Sequence, residues 1–444
     1  VKLWRLHVPA AMVESEPVAP CKPSDLDERA YAPRTLWSST YVLPRRKVDV
    51  ELTPDELSED YPLREREVFL RDANAEEDTT TTTYARVWGE DFFSWIACSA
   101  VPLETELPFS VRPMVMYPPH WNPQRLLERG NVAMVNTKGH KPGQVLDTSV
   151  GQDCCCVSLL GDMWECYCVF DGHGTCGHWP AVRASQTLPY FLRSESCMAM
   201  LRQGEATAAL KFAFEKTEED LEIRSHVEAV DIQNSGCTAA CVLRQPGVGV
   251  LWVATLGDSR VAVLVPGGVA YSSKDHKPSV QGEKSRIHAE GGEVRERVHV
   301  DGFVEQRVYA RGRKYAGLCV TRSFGDLLMK RCGVTAEPEV VRWSLSDRLD
   351  AYLLIASDGV WDFLDGEEAS EIVFDALSSG HSCQKAARML LHTARSRWKD
   401  REGEYCDDVS LVLVSCASQL PNLQSSRARC CEPPEFASGD CSMQ

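Results

Sequence analysis

Aspartate recurs at the boundaries of short apolar runs in this 444-residue sequence, and this pattern constrains the fold more than any other feature of the chain. The boundaries are Asp153 before the run 154–160, Asp171 after 164–170, Asp358 after 352–356 and Asp407 before 409–414. Glycine follows Asp171 and Asp358, so the backbone can turn sharply at those two places. Because the end of a strand is a rigid mount, several of these carboxylates can converge at the rim of a β-sheet sandwich.

A cluster of this kind offers hard oxygen ligands. Carboxylates and backbone carbonyls, with few histidine or cysteine side chains beside them, favour Mg²⁺ or Mn²⁺ over zinc. A single Asp-Gly pair after a strand is usually only a turn. The joint pattern, rather than any one aspartate, therefore predicts a metal site.

The periodicity of apolar residues predicts both strands and helices. Runs rich in Val, Leu and aromatic residues predict strands at 164–170, 248–256, 261–265, 352–356 and 409–415, with a hairpin turn at 257–260. Spacings of three and four residues predict helices around 204–222, over 369–377 and from Ser382 onward. Because strands and helices do not alternate strictly, the pattern favours an α+β fold of antiparallel sheets flanked by helices over a doubly wound parallel sheet.

Charge and hydropathy limit the classes of partner. The net charge of −16 argues against nucleic-acid or anionic-membrane binding, which needs a basic face. No stretch reaches the roughly 18 apolar residues of a membrane span. We expect a monomer that acts inside the cell, in the cytoplasm or nucleus, although the start of the sequence, which is not Met, could lack a targeting signal.

Nineteen cysteines are a high count for a chain that has no C-x-x-C pair, so a zinc ribbon or a thioredoxin motif is not expected. We expect the cysteines to be reduced. Those in apolar runs, such as Cys166, Cys168 and Cys416, are expected to pack as small hydrophobic residues.

The chain divides into three parts by composition. Residues 1–125 are predicted to be an acidic, partly disordered extension, in which 51–100 hold 13 acidic and 4 basic side chains. Phe92, Phe93, Trp95 and Ile96 in this part could form a docking patch or pack locally. Residues 126–417 are predicted to be the catalytic domain, and 418–444 a disordered tail rich in Ser, Pro and Cys.

A series of short segments follows in order along the chain: GQD at 151–153, VFDGHG at 169–174, SGCTA at 235–239, LGDSR at 256–260, DHKP at 275–278, Glu283, Arg286, Ile287, Gly291 and Gly292, GLCVTRSFGD at 317–326, AEPEV at 336–340, SDGVWD at 357–362 and DDVSLVLV at 407–414. In this order they resemble the metal-dependent protein serine/threonine phosphatases of the protein phosphatase 2C (PP2C, or PPM) family. The resemblance covers residues 132–416 and implies a four-layer α-β-β-α sandwich of two antiparallel sheets flanked by helices.

The resemblance also implies roles for individual residues. It assigns Asp171 as the carboxylate that bridges two Mg²⁺ or Mn²⁺ ions, and the carbonyl of Gly172 as a ligand of one of them. Asp358 and Asp407 would complete the other ion, and Asp153 would hold metal-bound water. In the family that the sequence resembles, a water or hydroxide between the metals attacks phosphorus directly, without a phosphoenzyme.

The remaining roles concern the leaving group and a third cation. His173 follows the bridging aspartate and is expected to be the general acid for the departing Ser or Thr oxygen. Asp258 and Asp362 match positions that hold a third, weaker metal together with Asp358. Alternatively, Asp258 belongs only to the hairpin turn, and Asp362 caps the helix near Gly366.

Three positions depart from the family pattern. Thr148 stands where a phosphate-binding Arg or Lys is usual, and the nearest basic residues are Lys138 and Lys141. Gln152 replaces the commoner Glu, and Asp408 replaces the usual Asn and adds a negative charge. Weaker phosphate binding is the resulting hypothesis.

The segment 283–317 is rich in basic residues, which are either a solvated face or part of a mobile flap. They are Arg286, Arg295, Arg297, Arg307, Arg311, Arg313 and Lys314. In the flap interpretation they contact phosphopeptides or supply the missing phosphate contact.

Three functions fit the motifs. The leading prediction is a phosphatase acting on phosphoserine and phosphothreonine in phosphoproteins, because every direct metal-ligand position is filled. The alternatives are a pseudophosphatase that binds phosphoproteins without hydrolysis, and a small-molecule phosphoesterase with the same metal centre.

Overall fold

The computed structural model describes residues 68–70, 83–85, 93–98, 113–114, 131–140, 151–160, 164–298, 304–313, 317–345, 350–403 and 405–417. The strands in this part are β1 Val68–Leu70, β2 Thr83–Ala85, β3 Phe93–Cys98, β4 Pro113–Met114, β5 Val132–Thr137, β6 Cys154–Leu160, β7 Trp164–Phe170, β8 Gly172–His173, β9 Gly236–Cys237, β10 Ala239–Arg244, β11 Val250–Leu256, β12 Arg260–Val265, β13 Gly268–Ser272, β14 Gly292–Val298, β15 Val304–Ala310, β16 Phe324–Gly325, β17 Glu339–Ser344, β18 Tyr352–Ala356 and β19 Val409–Ser415. The helices are α1 His178–Arg193, α2 Glu195–Arg202, α3 Ala206–Glu228, α4 Gln281–Ala289, α5 Leu327–Lys330, α6 Asp358–Trp361, α7 Gly366–Ser378 and α8 Cys383–Glu402.

Two antiparallel sheets form the centre of the fold. One has the strand order β17-β11-β10-β7-β6-β3-β4 and the other the order β13-β12-β18-β19-β5. Smaller units are the hairpin β14-β15, the pair β1-β2 and the short sheet β16-β9-β8.

Three hydrophobic layers hold the sheets and helices together. Strand β7 shows how one strand serves two of them, because successive side chains of a strand point to opposite faces. Cys168 and Phe170 face the core under helices α1 to α3, whereas Tyr167 and Val169 face the core between the two sheets. A third core lies between the five-stranded sheet and helices α7 and α8. The predicted four-layer α+β sandwich is therefore confirmed.

The three predicted helices lie close to their predicted positions. The side chain of Asp365 accepts a hydrogen bond from the backbone N–H of Glu368 and caps α7, and Ser382 caps α8 in the same way through Lys385 N–H. The alternative that Asp362 caps this helix is wrong, since Asp365 occupies the cap position. The helix predicted around 204–222 is α3, which continues beyond the prediction to Glu228.

The predicted hairpin at 257–260 is wrong. Strand β11 pairs with β10 and β17 in the seven-stranded sheet, whereas β12 pairs with β13 and β18 in the five-stranded sheet. Both strands are almost entirely buried, and the sequence alone does not reveal whether two such strands share a sheet or face each other. The turn instead carries the chain from one sheet to the other, and Asp258 lies at this crossing.

Part of the predicted extension joins the fold. Strand β3 pairs along its whole length with β6, and β4 pairs with β3, so the seven-stranded sheet begins before the predicted boundary at residue 126. Phe93, Trp95 and Ile96 of the predicted docking patch lie on β3. The rest of 1–125 apart from β1 and β2, and the tail from 418, lie outside the described residues. Among the helices of the described part, none is both long enough and apolar enough to cross a membrane.

Candidate metal centre

The four aspartates of the sequence pattern lie at one edge of the two sheets. In the seven-stranded sheet, Cys154 at the start of β6 is opposite Phe170 at the end of β7, so Asp153 and Asp171 lie at the same edge. In the five-stranded sheet, the end of β18 lies beside the start of β19, which brings Asp358 close to Asp407. Antiparallel pairing therefore collects residues that stand before one strand and after the next.

Close backbone packing supports this arrangement at Gly359. A Cβ atom on Gly359 would lie 1.9 Å from the carbonyl oxygen of Asp408, so only glycine lets helix α6 approach the start of β19. The indole N–H of Trp398 donates to the carbonyl of Gly359 at 2.7 Å and fixes the turn from the other side. The glycine of the Asp358-Gly359 pair is thus required by packing between distant segments.

The carboxylates repel one another strongly. Burial raises the pKa of Asp171 well above its usual value, and the charges of Asp358, Asp153 and Asp407 raise it further. Burial and the charges of Asp362, Asp258 and Asp407 do the same for the pKa of Asp358. Several negative charges therefore share one site without enough positive charge beside them.

Asp153 lies beneath the others and is 2% exposed. Burial raises the pKa of Asp153 well above its usual value, and the charge of Asp408 adds to this. Its Oδ2 atom is buried and has no hydrogen-bond partner. A buried carboxylate oxygen without a donor is costly unless a cation or water compensates it.

The donor set fits hard divalent cations. It consists of carboxylate oxygens, to which the chain can add the carbonyl of Gly172, and such ligands suit Mg²⁺ or Mn²⁺. No three of the described aspartates bring one oxygen each within 4.8 Å of one another, so they do not form a closed cage for one small ion.

Two of the departures from the family pattern have structural explanations. The carboxylate of Asp408 accepts hydrogen bonds from the backbone N–H groups of Gly139 at 2.5 Å, Gln152 at 2.5 Å and Asp153 at 3.3 Å. Three donors suit a carboxylate, which only accepts, better than an asparagine amide. The side chain of Gln152 donates to the carbonyl of Gly174 at 2.7 Å, which an ionised glutamate could not do.

His173 has a partner that the sequence did not predict. Its Nε2 lies 2.7 Å from Oδ2 of Asp326, which also accepts a hydrogen bond from the hydroxyl of Ser323 at 2.6 Å. Burial alone would lower the pKa of His173, but the charge and the hydrogen bond of Asp326 outweigh it and raise that pKa. Sequence reasoning could have found Asp326, because it is the last residue of the family-like segment 317–326 and follows a glycine.

The two candidate residues for a third cation lie beside basic side chains. Nζ of Lys277 is 3.2 Å from Oδ2 of Asp258, and the charges of Asp258 and Asp362 raise the pKa of Lys277. Arg260 forms two hydrogen bonds with Asp275. Lys277 belongs to the DHKP segment, but no local pattern indicates that its ammonium group reaches this site.

The basic residues of 283–317 have different environments. Arg286 contacts Glu283 at the base of the hairpin, and Arg307 pairs with Glu305. The side chain of Arg311 is 84% exposed.

Lys138 follows the last residue of β5, across from Asp408, since Thr137 pairs with Val409. Thr148, Lys141 and Lys314 lie outside the described residues.

Comparisons with known proteins identify the family of the chain. The family model described as Protein phosphatase 2C matches residues 145–400. The chain is similar to the probable protein phosphatase 2C 34 of Arabidopsis thaliana, with 32% identity over 62% of this chain and 80% of the relative. It is also similar to protein phosphatase 2C homolog 3 of Schizosaccharomyces pombe, with 29% identity over 63% of this chain and 65% of the relative.

Structural comparison supports the same fold. A crystal structure of a serine-threonine phosphatase 2C from Toxoplasma gondii matches 72% of this chain and 98% of its own, with a TM-score of 0.51 and 19% identity. At this level of identity the likeness concerns the fold alone.

Proposed function

The chain belongs to the protein phosphatase 2C family and is a protein serine/threonine phosphatase, and on this premise we propose that its aspartate centre hydrolyses phosphoserine and phosphothreonine with two Mg²⁺ or Mn²⁺ ions. The convergence of Asp153, Asp171, Asp358 and Asp407 at one edge of both sheets is the observation that carries this proposal. Catalysis at a phosphoryl group requires mainly positioning and positive charge, and this site is arranged to collect positive charge.

Each ligand has a defined role in the proposed centre. Asp171 would bridge the two cations, the carbonyl of Gly172 would bind one of them, and Asp358 and Asp407 would bind the other. Asp153 would hold water next to them. When bound, the cations supply charge that neutralises the phosphoryl oxygens and make a nearby water acidic enough to attack phosphorus.

His173 would donate the proton to the departing Ser or Thr oxygen. A general acid must carry its proton at the working pH, and the hydrogen bond to Asp326 favours the protonated imidazole. Asp326 is 2% exposed and contacts the imidazole, so in this scheme it acts as a positioning residue that orients the ring.

A third, weaker cation at Asp258, Asp362 and Asp358 remains part of the proposal. Lys277 is the neighbour that a third ion would have to displace from Asp258, because both are positive and use the same carboxylate. This competition explains physically why a third site would be weaker than the first two.

No observation favours the pseudophosphatase alternative. A small-molecule phosphoesterase would show a preference for free phosphorylated metabolites over phosphopeptides. The expected substrates of the proposed enzyme are phosphoproteins, and monomeric state and location inside the cell remain predictions.

The test is phosphate release from a phosphothreonine peptide with Mn²⁺, Mg²⁺ or EDTA. We expect release with either cation, none with EDTA, and a loss on the order of 10²–10³-fold in Asp358→Asn. Asp375→Asn on the exposed face of α7 is the matched control and should retain full activity. Release that persists in EDTA, or full activity in Asp358→Asn, would rule out the proposed centre.

A further inference from the structure

Three cysteines meet in the core beneath helix α1. Cys166 and Cys168 are two residues apart on β7, so their side chains point to the same face of the strand. Cys241 on β10 lies directly opposite Cys168. The Sγ atom of Cys166 is 3.5 Å from that of Cys168 and 3.7 Å from that of Cys241. All three residues are fully buried.

This cluster is distinct among the possible metal ligands of the molecule. Of all groups of three His, Cys, Asp or Glu residues in the described part of the chain, only these three bring their ligand atoms within 4.8 Å of one another. The sequence expectation was that such cysteines pack as small hydrophobic residues. Packing alone would not require three sulfur atoms to converge on one point.

The distances match metal coordination better than a disulfide. Zinc bound to sulfur at about 2.3 Å in a tetrahedron separates neighbouring sulfurs by about 3.8 Å, close to the separations of 3.5 and 3.7 Å seen here. A disulfide needs about 2.05 Å between the sulfurs. Small side-chain movements would therefore suffice for a cation, whereas a disulfide would need a larger approach.

A further sulfur lies on the neighbouring strand β6, where Cys156 is opposite Cys168. Its Sγ atom is not part of the group of three whose ligand atoms all lie within 4.8 Å of one another. Thiolates in an apolar core are unfavourable without a positive charge beside them, so the cluster would bind a cation rather than ionise by itself.

We propose that Cys166, Cys168 and Cys241 bind one Zn²⁺ ion, and that Cys156 becomes the fourth ligand once its side chain moves closer to them. Each thiol that becomes a ligand releases its proton to solvent. Soft sulfur ligands separate this site chemically from the oxygen ligands of the aspartate centre. The C-x-C spacing replaces the usual C-x-x-C because the ligands lie on a strand, where every second residue shares a face.

The buried position has a consequence for loading. With no exposed ligand among the three, the ion would enter while the chain folds and would exchange slowly afterwards. A chelator should therefore remove cations from the aspartate centre, where Asp171, Asp358 and Asp407 are partly exposed, much faster than from the cysteine cluster.

The test uses the full chain, purified from zinc-supplemented cells and treated with EDTA. We expect about one zinc ion per chain by elemental analysis. After unfolding and refolding with Co²⁺ under reducing conditions, we expect sulfur-to-cobalt charge-transfer absorption, which oxygen ligands do not produce.

Variants locate the ion. Cys166→Ala/Cys241→Ala should lose the zinc and the cobalt absorption, whereas Cys383→Ala, at a buried cysteine on the other side of the molecule, should keep both. A full chain that refolds without cobalt–sulfur absorption, a band that persists in the double variant, or a disulfide within the cluster would overturn the proposal. If the double variant does not fold, the refolded full chain alone tests the proposal, and absence of the cobalt–sulfur band in it rejects the site. If the band is present, the single variant Cys168→Ser tests where the ion binds.

Discussion

In two groups of charged residues of this protein, the surroundings shift the pKa values of the carboxylates in opposite directions. At the aspartate centre, burial and neighbouring charges raise the pKa values of Asp153, Asp171 and Asp358. At the base of the basic hairpin, Glu283 accepts hydrogen bonds from Arg286 and Arg322, each at 2.7 Å. Burial would raise the pKa of Glu283, but these hydrogen bonds outweigh it and hold that pKa well below its usual range.

The contrast separates a site that needs an ion from one that does not. The Glu283 group is complete, since the hydroxyl of Thr321 also donates to it and its charge is balanced by arginines of the same chain. The aspartate centre leaves charge uncompensated and even a buried oxygen of Asp153 without a donor. In this protein, repulsion among carboxylates marks the proposed metal site, whereas the charge of Glu283 is balanced by the chain itself.

The largest effect is expected at the uncompensated centre. Asp171→Asn should lower phosphatase activity by on the order of 10³-fold, since it removes the proposed bridging ligand. The same variant should raise the melting temperature of the EDTA-treated protein by about 2 °C, because it removes one repelling charge. Activity assays and calorimetry check both effects, with Asp375→Asn as the control. A lower melting temperature without metal would contradict the repulsion argument.

The compensated group should behave in the reverse manner. Glu283→Gln leaves two arginines without their carboxylate and should lower the free energy of unfolding by about 2–4 kcal/mol. Activity per folded molecule should change little. Chemical denaturation measures the difference, and Glu371→Gln on the exposed side of α7 serves as the control. An unchanged unfolding midpoint would mean that the pairing contributes no stability.

The carboxylate of Asp326 has a partner in His173, but this pair lies next to the aspartates that have too little positive charge beside them. A variant at Asp326 therefore tests whether a paired carboxylate contributes to catalysis here. Asp326→Asn should lower kcat on a phosphothreonine peptide by about 10–100-fold, because the imidazole loses its orientation and part of its proton affinity. With an aryl phosphate, whose leaving oxygen needs little help from an acid, the loss should be much smaller. Equal losses on both substrates would point to a purely structural role.

The smallest effect concerns pH. The pKa of Glu283 lies below its unfolded value of 4.5, so its stabilisation is complete above pH 4.5 and is lost as the pH falls toward the folded pKa. The difference in unfolding free energy between the wild type and Glu283→Gln should therefore shrink below pH 4.5 by about 1.4 kcal/mol per pH unit. Denaturation curves from pH 6 to pH 3.5 measure it, and a constant difference over that range would disagree with the pairing.

Much of the fold was predictable because it depends on neighbouring residues. The apolar run 164–170 predicts a strand and the periodic spacing of 369–377 predicts a helix, each from residues close together in the chain. Both elements form where predicted. The crossing at Asp258 was not predictable in this way. Two buried strands joined by a short turn look the same whether they pair or enter different sheets.

The site residues also differ in whether neighbouring or distant parts of the chain determine them. Asp171 and Asp358 can be recognised from the sequence because each lies next to an apolar run and is followed by a glycine. The partner of His173 is 153 residues away, and Lys277 reaches the centre only because its loop packs against the crossing at Asp258. The three core cysteines look like ordinary strand residues until β7 and β10 pair.

The sequence by itself determined the strand and helix types, the order of the motifs and the family, because these are written in short stretches of chain. The tertiary structure decided which charges are balanced, which histidine nitrogen has a carboxylate partner and which sulfur atoms meet. Those properties depend on distances between residues far apart in the chain, and hydrogen bonds and Coulomb interactions change steeply over a few ångströms.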